Sequence, residues 1–483
     1  MMRIYMKYIP VIGLEIHTEL KTESKMFCAC ANNPDEKSPN TNICPICMGH
    51  PGTLPTINKK AVEAVLRLGI AIGGAISRKS HFDRKSYFYP DLPKGYQISQ
   101  YDAPFVEGGV LEGVKIKRIH LEEDVASSKH SDGKEENYTF VDFNRAGVPL
   151  MELVTEPDIK DGEQALRFGK ELQRIMRCLN ISDADMEKGQ MRVEVNISLM
   201  KEKDKEWGTK VEIKNLNSFR AVAGSIDYEI KRQSELLDSG EKVIQETRGW
   251  NDQKGTTVSQ RTKESAHDYR YFPEPDLPEL TFTEEYLKSL KASLPELPEE
   301  KRKRFSEEFN LSQHQIDDLL DDQHGAIYFE EAVSELKEKI ESANIQLLFN
   351  YLTSDLRGIA KTRGKDMREI NIPPEHFAHL IFLIQNGTLS SRIAKDLLLK
   401  MEETGSDPET LIKEGGIQFM GDEESLIPIV QEIIEKNEKA VADYKKGKGS
   451  SIAFLVGQAM GKTKGQADPE KLRELFKQEL GKI

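Results

Sequence analysis

Nowhere in the 483 residues is there a run of about 20 apolar residues, the length a bilayer span requires. The opening segment, Met1 to Pro10, lacks a signal-peptide core followed by a small-residue cleavage site, so a cytoplasmic protein is expected. Positive charge is in deficit. The 68 Lys and Arg residues face 81 Asp and Glu, a net charge of −13 that excludes a diffuse basic field for nucleic acid. Any RNA contact must therefore come from local patches. Cysteine is scarce, and five in a chain of this length do not make a disulfide scaffold. There is no internal repeat. The remainder, 38% hydrophobic and 31% charged, is that of a globular protein too long for one ordinary core, so two or three domains are expected.

Up to about residue 290 the sequence alternates between short strand-like and helix-like segments. In "VIGLEIHTEL", Ile12, Leu14, Ile16 and Leu20 fall on one side of an extended strand and Glu15, His17 and Glu19 on the other. "MRVEVNISL" sets Met191, Val193, Val195 and Ile197 against Arg192, Glu194, Asn196 and Ser198; "PLMELVTE" sets Met151 and Leu153 against Glu152. Helical periodicity appears near 59–76, 160–180 and 221–238. Mixed in this order, the segments predict an α+β domain with an antiparallel sheet. The Pro- and charge-rich "SLPELPEEKRKRF" reads as a linker, with amphipathic helices after it and a second joint near 405.

Three groups of residues carry chemistry. Glu15, His17, Glu152 and Glu194 lie on polar strand faces, and "HLEED" adds Glu122, Glu123 and Asp124. Sharing one sheet, such carboxylates and an imidazole suit Mg²⁺ or Mn²⁺ against the phosphates of a nucleotide, although outward Glu residues on half-buried sheets ordinarily meet only water. The alternation slips between Ile116 and Ile119, so the pattern does not choose between Glu122 and Glu123. Second, Cys28-Ala-Cys30 and Cys44-Pro-Ile-Cys47 flank thirteen residues and offer four soft ligands for structural, tetrahedral Zn²⁺, stapling the loop after the first strand. Third, residues 445–464 hold Lys445, Lys446, Lys448, Lys462 and Lys464 with no acidic residue among them, a local patch that glycines would let approach phosphates. A solvated lysine run is the plainer reading of such charge. The phosphate-loop-like "GQAMGKT" has three residues between its glycines where four are needed, and follows a helical pattern, so it is rejected.

Longer strings go beyond these patterns. "VIGLEIHTELKTESKMF", "FDRKSYFYPDLPKGYQISQYDAP", "HLEEDVASS", "DFNRAGVPLMELVTEPDI", "MRVEVNISL", "EIKNLNSFRAV" and "DYRYFPEPDLPEL", with "LVGQAMGKTKGQADP" near the end, resemble the GatB family, the B subunits of the bacterial-type aspartyl/glutamyl-tRNA amidotransferases. The resemblance implies a glutamine synthetase-like cradle at 1–293, an all-α helical domain at 294–405 and a small YqeY-like tRNA-binding tail at 406–483. It implies ATP- and Mg²⁺-dependent phosphorylation of the side-chain carboxylate of Glu-tRNA(Gln) or Asp-tRNA(Asn). Ammonia from a partner amidase subunit then displaces phosphate, and a small third subunit belts the other two into a heterotrimer. The chain would thus belong to a carbon–nitrogen ligase with glutamine as amido donor. Carried onto this sequence, the metal site falls on Glu15, His17, Glu123 and Glu152, with Lys85 countering phosphate charge and Glu194 standing where relatives often carry Asp. The cysteine quartet, present in part of the family, is complete here. Two other readings compete: a non-catalytic zinc-containing tRNA-binding module, and the archaeal-type Glu-tRNA-specific paralogue, whose extra inserted domain has no counterpart after "DYRYFPEPDLPEL".

Overall fold

The computed structural model describes residues 7–130, 138–201, 203–204, 206–262, 268–415, 423–445, 448–463, 467 and 469–482. Lys446 and Lys464 lie outside the described residues. The chain divides into two compact units, Met1–Lys301 and Arg302–Ile483.

The first unit is built on a ten-stranded sheet with Ile9–Glu19 near its middle, flanked by Pro149–Thr155 on one side and Met191–Met200 on the other, both antiparallel. Period-two alternation explains the placement. Ile12, Leu14 and Ile16 are at most 1% exposed on one face, while Glu15, His17 and Glu19 project from the other. Burying each of those aliphatic side chains is worth about 1.5–3 kcal/mol, which holds the strand in a single register. The apolar face is covered by helices Gly162–Cys178 and Phe219–Asp238. Each starts at a side-chain cap: Asp161 accepts from the amide of Gln164, and Ser218 from that of Ala221.

The sheet departs from the expected antiparallel pattern at one place. Val211–Leu216 and Glu246–Asn251 pair in parallel, because helix Phe219–Asp238 lies between them and returns the chain in the same direction. The sheet is therefore mixed. A second irregularity concerns Val114–Glu123, whose partner strand pairs Val154 with Arg118 and Thr155 with Ile116, leaving Lys117 as a bulge. The bulge is the slip in alternation seen in the sequence. Beyond it, Ile119, Leu121 and Glu123 share one face, and Arg118, His120 and Glu122 the other.

The Pro- and charge-rich segment expected as a linker contains the boundary between the two units, Lys301 and Arg302, and is largely helix, Pro298–Phe309. Its Phe305 and Phe309 are buried among the helices of the second unit, and that apolar spacing outweighs the charged residues between them. The second unit is helical among its described residues and contains two separate hydrophobic clusters, one from Phe305 to Leu411 and one from Leu426 to Leu480. "SIAFLVGQAM" lies within helix Ser450–Lys462, so Gly457 and Gly461 belong to a helix and form no phosphate loop.

The two helices beneath the sheet meet without space for a side chain. A Cβ on Gly162 would lie 2.4 Å from the carbonyl oxygen of Ala223. Gly162→Ala is expected to lower the stability of the first unit by about 1–3 kcal/mol, read as a fall in melting temperature. An unchanged melting temperature would contradict this packing.

Candidate functional site

On the polar face of the sheet, three neighbouring strands bring five ionisable side chains to one point. Glu15 and His17 come from Ile9–Glu19, Glu152 from Pro149–Thr155, and His120 and Glu122 from Val114–Glu123. His17 and Glu152 are direct register partners, as are Glu152 and His120. His17 Nε2 lies 3.4 Å from Glu152 Oε2, 3.7 Å from Glu122 Oε1 and 3.9 Å from Glu15 Oε1. His120 Nε2 lies 3.3 Å from Glu152 Oε2 and 3.8 Å from Glu122 Oε2.

Glu123 is elsewhere. Placed on the opposite face by its phase beyond the bulge, it accepts a hydrogen bond from Lys94 Nζ and another, at 3.0 Å, from the amide of Ile98. The geometry thus groups Glu122 with Glu15, His17 and Glu152, whereas Glu123, the residue implied by the family resemblance, is engaged by Lys94 and Ile98. Arg118, His120 and Glu122 alternate on the polar side once Lys117 is set aside. That signal was present in the sequence, hidden by the bulge.

Burial sets the electrostatics. Burial, then repulsion from Glu152, raises the pKa of Glu15, and Glu194 across the strand pair adds to it. Glu152 is held well below the usual carboxylate range: burial opposes ionisation, but His120 and His17 outweigh it. Burial likewise works against a charged His120, yet Glu152 and Glu122 carry its pKa up to about 9. Glu122 stays low despite burial because of His120 and Lys85. Lys85, on strand Asp83–Ser86, is held in its charged form against burial by Glu122, Tyr271 and Glu152. Glu194 is bound to Lys214 at 2.9 Å. So Glu15, His17, Glu152 and Lys85 converge, with Glu194 beside them and engaged by a lysine.

The donor set fits a hard divalent cation. Carboxylate and imidazole atoms of Glu15, His17 and Glu152 lie within 4.8 Å of one another, as do those of His120, Glu122 and Glu152. A cation would relieve the mutual repulsion that raises the pKa of Glu15.

The four cysteines form a second donor set. The sulfurs of Cys28, Cys30, Cys44 and Cys47 all lie within 4.8 Å of one another, and those of Cys44 and Cys47 are 3.9 Å apart. Four thiolates at about 2.3 Å from one Zn²⁺ fit this spacing. Fully buried Lys25 places its Nζ 4.0 Å from Cys47 Sγ while donating to the carbonyl of Phe143 at 3.1 Å. A hydrogen bond from Cys28 brings the Cys47 thiol down to about 5, with Lys25 assisting, so one thiolate is already favoured. The quartet follows the first strand, where the staple was expected.

Of the tail lysines, Lys445, Lys448 and Lys462 are described, and the last two are ion-paired at the surface. Lys448 pairs with Asp443 at 3.3 Å and Lys462 with Glu432, while Lys445 ends helix Glu438–Lys445. Among the described residues, no helix is long and apolar enough to cross a membrane.

Residues 10–288 match the family described as the GatB/GatE catalytic domain, and residues 328–480 match the GatB domain. The sequence is 44% identical, over 99% of this chain and 100% of the relative, to the aspartyl/glutamyl-tRNA(Asn/Gln) amidotransferase B subunit of Caldicellulosiruptor bescii. It is 43% identical to the protein of the same name in Thermoanaerobacter pseudethanolicus, over 99% of this chain and 100% of the relative. Against that of Persephonella marina it is 42% identical, over 98% and 100%.

Two outcomes follow. The folded pKa of His120 exceeds the ordinary histidine value, so its pairing stabilises the metal-free protein fully below about pH 6.5. That stabilisation is lost as pH rises through about 9. Denaturant titrations from pH 6.5 to 9.5 should show the decline, and His120→Gln should flatten it; a flat wild-type profile would contradict the pairing. Freshly purified protein should carry one zinc per chain by atomic absorption, and Cys44→Ser should lower both zinc content and melting temperature. Metal-free protein of unchanged stability would rule out the staple.

Proposed function

The chain belongs to the GatB family and works as the B subunit of a tRNA-dependent amidotransferase; from that premise we propose that its carboxylate–imidazole cluster is a phosphotransfer centre. Its substrates would be ATP and a tRNA mischarged with Glu or Asp. The single observation carrying this reading is the meeting of Glu15, His17, Glu122 and Glu152 on one sheet face, with charged Lys85 facing Glu122 and Glu152.

A carboxylate is a poor electrophile, because direct amide formation would have to expel oxide. Transfer of the γ-phosphoryl group to the side-chain carboxylate makes phosphate the leaving group, and ammonia then attacks the acyl carbon. Two anions must approach for the first step, so the site has to offset their repulsion. Mg²⁺ held by Glu15, His17, Glu122 and Glu152 would neutralise phosphate charge. Lys85 presents a fixed positive charge to the reacting carboxylate. Arg118, 3.7 Å from Glu152, and His120 hold Glu152 in its ionised, oriented form. Metal ligation needs His17 neutral, so a cation would compete with the proton that Glu152 and Glu122 favour there against burial.

No Ser or Cys nucleophile is required for this chemistry, which assigns glutamine hydrolysis to a partner amidase subunit, with a small third subunit completing the complex. A division into cradle, 1–293, helical domain, 294–405, and YqeY-like tail, 406–483, draws on three separate hydrophobic clusters, the second of which reaches Leu411. The tail lysines Lys445, Lys446, Lys448, Lys462 and Lys464 would meet tRNA backbone, Lys448 and Lys462 after exchanging Asp443 and Glu432 for phosphates.

The assembled complex should convert mischarged Glu-tRNA(Gln) or Asp-tRNA(Asn) to the amide only when ATP is present. Glu122→Gln should weaken Mn²⁺ binding, read by electron paramagnetic resonance, by about tenfold to a hundredfold. Glu123→Gln should leave that binding near the unaltered value. Amide formation without nucleotide, or the reverse order of the two variants, would overturn the assignment.

A further inference from the structure

Beside the cluster lies an aromatic surface that the phosphotransfer reading does not use. Phe88 is 91% exposed, and Tyr89, Tyr101 and Phe272 are also open to water. The Tyr101 and Tyr271 rings stack with centroids 4.3 Å apart and planes 16° from parallel. Tyr271 meets Tyr269 edge-on at 6.2 Å, and Tyr269 meets Tyr87 at 5.9 Å. A continuous chain of rings thus runs Tyr101, Tyr271, Tyr269, Tyr87, with Phe88 next in sequence.

This chain follows the strand Asp83–Ser86, the centre of a small three-stranded sheet between Tyr96–Ser99 and Phe272–Pro273. Tyr101 lies at the Asp83 end, where its amide donates to Asp83 Oδ2 at 2.8 Å. Tyr269 lies at the other end, where its carbonyl accepts from the amide of Ser86 at 2.8 Å. Four strand residues span about 13 Å. That is room for three or four stacked bases at about 3.4 Å each.

Exposure of these rings is not the result of a loose loop. Between Tyr87 and Gly95 the chain is pinned by buried Leu92, by the amide of Ala126 donating to Asp91 at 2.9 Å, and by Lys94 on Glu123. A loop so fixed that still presents Phe and Tyr to water marks a binding surface. The surface is also continuous with the reaction centre. Lys85 Nζ lies 5.1 Å from the centre of the Tyr269 ring and 5.9 Å from that of Tyr87, and the same ammonium interacts with Glu122 and Glu152.

We propose that this surface holds the unpaired 3′ end of the aminoacyl-tRNA, its last bases stacked on the row of rings while the aminoacyl group reaches past Lys85 to the carboxylate–imidazole cluster. The proposal rests on the function set out above and adds the subsite that positions the acceptor end. The string of rings is longer than one adenine, which favours a single strand over the base of ATP. A net charge of −13 and an acidic centre give little electrostatic attraction for the acceptor phosphates, so the base faces must supply the grip. Stacking on aromatic rings does so without requiring a particular base.

The test uses the assembled complex and tRNA carrying 2-aminopurine in place of its terminal adenine, uncharged, so that binding is read without chemistry. Fluorescence should be quenched on binding. Tyr101→Ala and Phe88→Ala, both at exposed rings, should reduce the quench, and Tyr101→Phe should preserve it. With mischarged tRNA, each alanine variant should raise the KM for tRNA by roughly fivefold to a hundredfold and leave the KM for ATP unchanged. A rise in the KM for ATP alone would give the surface to the nucleotide's adenine and overturn the proposal, as would an undiminished quench in both alanine variants. Failure of the unaltered complex to form amide under saturating ATP and tRNA would refute the phosphotransfer reading instead, whatever the quench shows.

Discussion

Three buried or half-buried carboxylates cannot share a few ångströms of low-dielectric space without compensation, and the polar face of the sheet is organised by that constraint. Glu15, Glu122 and Glu152 are brought together by strand register, and the register is fixed by the apolar residues that alternate with them. His17 and His120 bridge the carboxylates, and Lys85 approaches from a separate small sheet. These cations balance Glu122 and Glu152 well enough to keep them ionised, yet the Glu15 carboxyl remains raised by burial and by its neighbours. The residual imbalance is what a divalent cation, and the phosphates it brings, would resolve.

Glu122 and Glu123 show how one backbone irregularity decides chemistry. They are adjacent in sequence and both buried, but the bulge at Lys117 turns Glu122 into the cluster and Glu123 towards Lys94. A one-residue change of phase moves a side chain to the opposite face. Lys94 is not idle as a result: its bond to Glu123 helps pin the segment that carries Phe88 and Tyr89. The same bulge thereby places one carboxylate for chemistry and its neighbour for support of the aromatic surface.

Much of this was legible beforehand where alternation was clean. The central strands, the helices around 160–180 and 221–238, and the positions of Glu15, His17 and Glu152 all follow from period-two and period-3.6 patterns. Legibility ended where local pattern and tertiary contact part company. The bulge hid Glu122 and His120. The stretch read as linker does hold the boundary between the units, but its charges hid that most of it is helix, anchored by Phe305 and Phe309, and a parallel pair entered the sheet because a helix carried the chain back. Lys448 and Lys462, from a patch free of acids along the sequence, meet Asp443 and Glu432 in space. Tyr269 and Tyr271 lie far along the chain from Tyr87 and Tyr101, and no local periodicity relates them.

The most direct measurement is a crystal structure of the complex with Mn²⁺ and a non-hydrolysable ATP analogue, with the metal located by its anomalous scattering. The account predicts a peak about 2.1 Å from oxygen or nitrogen atoms of Glu15, His17, Glu122 or Glu152, with the γ-phosphate against it and Lys85 alongside. A peak bound by Glu123, or a nucleotide seated with its phosphates away from this face of the sheet, would contradict it.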